Sequence, residues 1–172
     1  MPSERVEVQV RPGVEADLEA LTEIYNHYVR ETAITFDTAV FTPSERRPWL
    51  LSHPEDGPHR LMVATDPGAQ RILGYATSSP FRPKPAYGTS VETSVYVAPD
   101  AGRRGIGTLL YDALFKALAG EDVHRAYAGI ARPNEPSERL HARFGFRHVG
   151  TFHEVGRKFG RYWDVAWYEK EL

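Results

Sequence analysis

The chain has 0 cysteines in 172 residues. Disulfides, thiolate zinc sites and cysteine nucleophiles are therefore excluded. Long apolar runs are missing as well, since no stretch approaches the ~20 residues that a membrane helix needs. The start, Met1-Pro2-Ser3-Glu4-Arg5, is polar and carries no signal-peptide pattern, so the expected compartment is the cytoplasm. Nor is one charge in excess: 21 Lys and Arg against 23 Asp and Glu leave a net charge of -2, which argues against nucleic acid as the main partner. His-Glu-x-x-His and other metal-ligand spacings are lacking among the 7 histidines, so no metal is expected. No repeat, linker or low-complexity segment divides the chain. With 41% hydrophobic and 26% charged residues, the composition is that of one globular domain, residues 1–172.

What is present is organised around Val91 to Leu118. Val91, Thr93, Val95 and Val97 alternate with Glu92, Ser94 and Tyr96, which predicts a strand that Pro99-Asp100 stops. Leu109, Leu110, Ala113, Leu114, Ala117 and Leu118 recur at helical spacing, so a helix begins near Gly107. Between them lies Gly102-Arg103-Arg104-Gly105-Ile106-Gly107. The first amides of a helix have no internal partner and sit at the positive end of its dipole. Gly105 and Gly107 remove Cβ atoms from the approach and Arg103 and Arg104 add charge, a combination suited to pyrophosphate. A surface turn with solvated arginines explains the same residues equally well. A P-loop is excluded because no lysine and hydroxyl pair follows the glycines. The dinucleotide pattern also fails, because Leu110 stands at its third glycine.

The remaining elements follow in order. Val6, Val8 and Val10 predict a first strand ended by Pro12-Gly13. Leu18, Leu21, Tyr25 and Tyr28 predict a helix with Asp17 as its cap. Ala33 to Phe36 reads as a short extended piece, and Thr42-Pro43-Ser44-Glu45 as a capping box opening a second helix towards Leu51. Leu61–Ala64 and Ile72–Thr77, joined by Asp66-Pro67-Gly68, predict a hairpin. Ala126 to Ala131 reads as a buried strand, and Asn134 as the cap of a helix that runs to Phe144 and stops at Gly145. Two strands close the chain, near Phe146–Val155 and Tyr162–Glu169. The order predicts an α+β (mixed α/β) domain with a mixed central sheet.

The glycine loop resembles the acetyl-CoA loop of the GNAT superfamily of N-acetyltransferases, with Gly102 standing where that family prefers Gln or Arg. The resemblance covers nearly the whole chain. It runs through Arg11-Pro12, Ile24-Tyr25-Asn26, Phe36, Tyr87, Val91 to Val97, Asn134-x-x-Ser137-x-x-Leu140-His141-x-x-x-Gly145-Phe146 and Val155-Gly156-Arg157-Lys158-x-Gly160-Arg161. In these segments it is similar to the phosphinothricin and methionine sulfone/sulfoximine acetyltransferases.

That resemblance implies a GNAT-like acyl-CoA N-acyltransferase fold, its mostly antiparallel sheet flanked by helices. It implies acetyl-CoA as co-substrate, a small amino-acid-like amine as acceptor, and a homodimer. Acetyl transfer needs a neutral amine, and a positioned carboxylate can take the amine's proton. The resemblance makes Glu92 the base, where a rim salt bridge is the plainer alternative. His141 matches a histidine near the site, which implies a catalytic part in proton transfer or a hydrogen bond to the substrate; packing against the sheet is an equal alternative. Val95, Tyr96 and Val97 match the strand end that pairs with the pantetheine arm and places the acetyl group. Arg103, Arg104, Gly105, Ile106, Gly107 and Thr108 match the pyrophosphate loop, and Asn134 and Ser137 the far side of the arm. Phe36, Lys84 and Tyr87 match the substrate region, where cations suit a carboxylate or phosphinate. A cysteine-acetyl relay is impossible. The rival readings are acetylation of a polyamine, an aminoglycoside or a protein N-terminus, which favour an acidic cleft, and a CoA-binding sensor without turnover.

Overall fold

The computed structural model describes residues 7–102 and 104–172, so Val6 and Arg103 lie outside the described residues. The elements are β1 (Gln9–Pro12), α1 (Leu18–Glu31), α2 (Pro43–Leu51), β2 (Leu61–Asp66), β3 (Arg71–Pro80), β4 (Ser90–Val97), α3 (Ile106–Leu118), β5 (Arg125–Ala131), α4 (Glu135–Arg143), β6 (Arg147–Lys158) and β7 (Arg161–Glu171). The strands form one seven-stranded sheet in the order β1-β2-β3-β4-β5-β7-β6. Among the described residues only β4 and β5 run parallel, and α3 makes the crossover between them.

The local devices are those the residues dictate. Thr42 Oγ1 accepts from Glu45 N at 3.2 Å while Glu45 Oε2 accepts from Thr42 N at 2.9 Å, a reciprocal cap for α2. Asn134 Oδ1 accepts from Ser137 N at 3.3 Å and opens α4, and Gly145 ends it at φ +83. Two expectations change. Asp17 stands at the start of α1, yet its carboxylate takes Arg11 at 2.7 and 2.8 Å and Val14 N at 2.9 Å, closing a short 3-10 turn instead of capping the helix. Ala33 to Phe36 forms bends rather than a strand, since no sheet edge is offered to it. Lys158 Nζ, buried, donates instead to Thr35 O at 2.9 Å and ties this loop down.

The sheet is covered on both faces. Ile106, Leu110, Tyr111, Leu114 and Leu118 of α3 are buried on one side, each contributing about 1.5–3 kcal/mol on burial. On the other side, Tyr25 of α1 lies 5.5 Å from Tyr96 and Trp49 of α2 lies 5.6 Å from Tyr75, ring centre to ring centre. The alternation in β4 therefore sends Thr93 towards α3 and Glu92, Ser94 and Tyr96 towards α1 and α2. No described helix is long and apolar enough to cross a membrane.

Candidate active site

β4 and β5 pair only over Ser90–Arg125, Val91–Ala126 and Glu92–Tyr127. Beyond Glu92 they part, because β5 continues along β7 to Ala131 while β4 stays with β3 to Val97. The split leaves β4 with an unpaired edge next to a narrow cavity of about 50 Å³ that includes Thr93, Ser94, Val95, Tyr96, Asn134 and Ser137. On the helix-α1 side two wider cavities open, of about 400 and 350 Å³. Glu92 lines both, and Ser94 and Tyr96 line all three. One strand end thus joins a slot through the sheet to a cleft beside a carboxylate.

The glycine loop ends at the start of α3. Gly105 occupies the N-cap in the left-handed region at φ +67, with no side chain capping the helix, and nothing lies within 4 Å of where its Cβ would be. The first helical bond here is Leu109 N to Gly105 O at 3.1 Å, so the amides of Ile106, Gly107 and Thr108 precede the hydrogen-bonded ladder. This open, uncapped terminus fits a pyrophosphate. Its side chains do more packing than the sequence suggested. Ile106 is buried in the core, and a Cβ on Gly107 would meet Leu140 Cδ2 at 3.1 Å, so that glycine lets α4 approach α3. Thr108 Oγ1 accepts from Arg143 Nη1 at 2.9 Å. Arg104, expected to add charge to the loop's ligand, turns back: its Nε donates to Ala101 O at 2.9 Å and its Nη1 to Asp66 at 3.3 Å.

Glu92 is partly buried, and this burial raises its carboxyl pKa above the usual 4.5, opposed by the nearby charge of Arg82. Such a carboxylate accepts a proton more readily than an exposed one. His141 is buried, and its Nδ1 donates to Ser137 O at 2.7 Å. Nε2 is then the acceptor in the neutral ring, 2.8 Å from the Tyr111 hydroxyl, which lies 3.2 Å from Thr93 Oγ1. Burial lowers the His141 pKa below 6.5, against the pull of Ser137 O. His141 lines the slot but neither of the wider cavities, so it shares no cavity with Glu92.

The other sequence-selected residues divide. Phe36 walls the second cavity with Val155 and Trp167, and Gly156 makes room for its ring, which a Cβ would meet at 2.2 Å. Val97 lies outside all three cavities, and its carbonyl accepts from the Tyr28 hydroxyl. Lys84 and Tyr87 sit on an exposed 3-10 turn, Tyr87 against Phe81, and line none of the three. Sequence reasoning missed the wall of the first cavity, built by Tyr25, Arg46, Trp49 and Tyr75. The available signal was the aromatic spacing of α1 and α2, which core packing explains just as well. Among the described residues no group of three or more His, Asp or Glu is placed to hold a metal ion.

Residues 11–167 match the family described as acetyltransferase (GNAT) domain. The chain is 80% identical over 166 residues to a phosphinothricin N-acetyltransferase of Streptomyces coelicolor, covering 96% of this chain and 97% of that one. It is 32% identical over 163 residues to an L-methionine sulfoximine/L-methionine sulfone acetyltransferase of Pseudomonas aeruginosa, covering 95% and 94%. The structure of a GNAT superfamily phosphinothricin acetyltransferase from Sinorhizobium meliloti, in complex with acetyl-CoA, superposes with a TM-score of 0.88 at 30% identity, covering 96% of this chain and 88% of that one.

Proposed function

Since the chain belongs to the GNAT family of acetyltransferases, we propose that it acetylates the amino group of phosphinothricin or a closely similar amino acid, with methionine sulfoximine and sulfone as the next candidates. Acetyl-CoA supplies an acyl thioester that an amine attacks directly. The observation that carries this reading is the convergence of the three cavities on Ser94 and Tyr96, beside Glu92, where β4 leaves β5.

Each residue then has a task. The uncapped amides after Gly105 bind the pyrophosphate, with Arg103 and Arg104 at the same loop. The free edge at Val95–Val97 pairs with the pantetheine arm, opposite Asn134 and Ser137. Glu92 takes the amine's proton, directly or through water, and its raised pKa supports that role. His141 acts as a positioning residue: through Tyr111 it holds Thr93 and the wall of the slot. Phe36 packs on the substrate's methylenes, while Lys84 and Tyr87 guide an acid towards the cleft from outside. We place the reaction in the cytoplasm, with a homodimer as the working unit. The exposed Val149, Phe152, Val155, Phe159 and Tyr162 on the β6–β7 hairpin support a second copy there.

The test is acetyl-CoA-dependent release of thiol, read by colour, across phosphinothricin, methionine sulfoximine, methionine sulfone, spermidine, an aminoglycoside and a peptide N-terminus. The protein's 0 cysteines leave no thiol background of its own. Saturable turnover confined to the amino-acid analogues is expected. Turnover confined to the cationic amines or the peptide overturns the substrate, and acetyl-CoA binding without any turnover overturns the enzyme.

A further inference from the structure

Arg46 of α2 is 7% exposed, and its guanidinium lies between two rings, 4.2 Å from the centre of Tyr25 and 3.9 Å from that of Trp49. Aromatic faces stabilise a cation but satisfy none of its N–H groups. Among the described residues Arg46 has no carboxylate partner, and its buried Nη1 has no hydrogen-bond partner, although the guanidinium lies near enough to the Tyr75 hydroxyl to lower the pKa of that group. The neighbouring carboxylates are engaged elsewhere: Glu45 caps α2 at Thr42 N, and Asp37 takes the Tyr25 hydroxyl. Other partly buried arginines of this chain are paired, as Arg60 is with Glu121 at 2.7 Å and Arg132 with Glu138 at 2.9 Å. A buried, unpaired guanidinium is costly to the fold, and it lines the 400 Å³ cavity that Glu92 also lines.

A second orphan lies beside it. The Tyr75 hydroxyl is buried without a well-aligned partner; burial pushes its pKa up to about 12 against the nearby Arg46 guanidinium, and it remains an O–H donor at neutral pH. A guanidinium carries five N–H donors, of which the Tyr75 oxygen can take only one, so the pair still lacks an acceptor. The register sets the spacing. Glu92 faces Ser79 and Tyr96 faces Tyr75, four residues along each strand, about 13 Å between backbones. That leaves room for an amine at the Glu92 end with an acid group towards Arg46.

We propose that Arg46, with Tyr75, is the socket for an oxyanion of the amine substrate, a carboxylate or a phosphinate, and sets the preference for acidic over cationic amines. This rests on the reading of the chain as an amino-acid N-acetyltransferase and moves its anion site from the exposed Lys84 to the interior of α2.

The experiment compares wild type with Arg46→Met, which keeps the length without the charge, and with Arg46→Lys. Substrates are phosphinothricin, methionine sulfone and 3-(methylsulfonyl)propylamine, which is methionine sulfone without its carboxylate. Loss of a charge-assisted pair predicts that KM for the acids rises about 10- to 100-fold in Arg46→Met. KM for acetyl-CoA and for the acid-free amine stays within about two-fold, and Arg46→Lys recovers part of the loss. The Tm of Arg46→Met is not lowered, since an unpaired buried charge is removed. An effect on phosphinothricin alone identifies the phosphinate as the bound group, and an effect on both acids identifies the carboxylate. Unchanged KM for the acids in a folded Arg46→Met overturns the socket and leaves the acetyltransferase reading standing. Calorimetric titration of phosphinothricin without acetyl-CoA separates the two readings: Arg46-dependent binding with no turnover keeps the socket while the transferase reading falls. Binding independent of Arg46, or none to wild type, overturns the socket.

Discussion

Glu92 brings a partly buried carboxylate to the cleft with no hydrogen-bond partner among the described residues, and that has two consequences of opposite sign. Its raised pKa makes it the better base, so kcat/KM falls as pH drops through that value, above the usual 4.5. Glu92→Gln lowers kcat by about 10²- to 10⁴-fold and removes this acid limb, while acetyl-CoA affinity measured by calorimetry stays the same. Arg82→Ala moves the limb upward, because the Arg82 charge holds the pKa down. For stability the sign reverses. A carboxyl whose folded pKa is raised favours the fold while protonated, and that contribution is lost as pH rises through the folded pKa. Glu92→Gln therefore raises Tm at pH 8 and leaves it unchanged at pH 4; an equal Tm at both pH values removes the burial argument. The sequence places Glu92 on the polar face of an alternating strand, and its choice as base came from the resemblance. Arg46 was not legible: Glu45-Arg46-Arg47 reads as a charged helix face, and nothing in its order says that Arg46 goes inward while Arg47 meets Glu15 outside. Lys84 and Tyr87 were chosen by resemblance to a segment that here lies on the surface.

The strand–loop–helix unit and the helix behind it depend on a few local devices. Gly105 has open space around its missing Cβ, so a substitution there is limited by its positive φ rather than by contact. Gly105→Ala costs about 1–2 kcal/mol of stability, read by urea unfolding, and weakens acetyl-CoA binding. Gly105→Asn, which tolerates that φ, costs less stability; equal losses for the two overturn the strain argument. Behind the loop, the chain Thr93–Tyr111–His141–Ser137 ties β4, α3 and α4 together. Tyr111→Phe leaves buried polar groups unpaired and costs about 1–3 kcal/mol. The lowered pKa of His141 means that the unfolded chain binds its proton first, so stability is full above 6.5 and falls as pH drops below it. His53 and His59, also lowered by burial, contribute in the same direction. His141→Gln makes the loss of Tm between pH 7 and 5 shallower, and an unchanged slope assigns that loss to the other histidines. Most elements were legible from capping residues and period, as with Thr42-Pro43-Ser44-Glu45, Asn134 and Gly145. Ala33–Phe36 was not, because its apolar spacing serves contacts with Lys158 and Gly156, distant in sequence.

At the scale of the molecule, the two edges of the sheet differ. β1 is short and carries Pro12, which limits further pairing. β6 is long, and with its hairpin partner exposes Val149, Phe152, Val155, Phe159 and Tyr162, each more than half exposed. Its register with β7 shifts twice, after His148 and after Phe152, which turns successive side chains outward instead of alternating them evenly. Clustered apolar exposure of this kind is costly in water, and it is the observation behind the proposed homodimer. Phe152 and Val155 also wall the second cavity, so a second copy seated on the hairpin would shape the cleft as well as shield it. Val149→Glu combined with Phe159→Asn changes two exposed residues outside the three cavities and places asparagine at a positive φ of 56. The expected outcome is a shift from dimer to monomer in sedimentation velocity with Tm measured in the dilute monomer range unchanged. KM for the amine rises while KM for acetyl-CoA stays constant, because the glycine loop and the slot are built from one chain. A variant that remains dimeric moves the interface away from this hairpin, and a wild type that sediments as a monomer removes it.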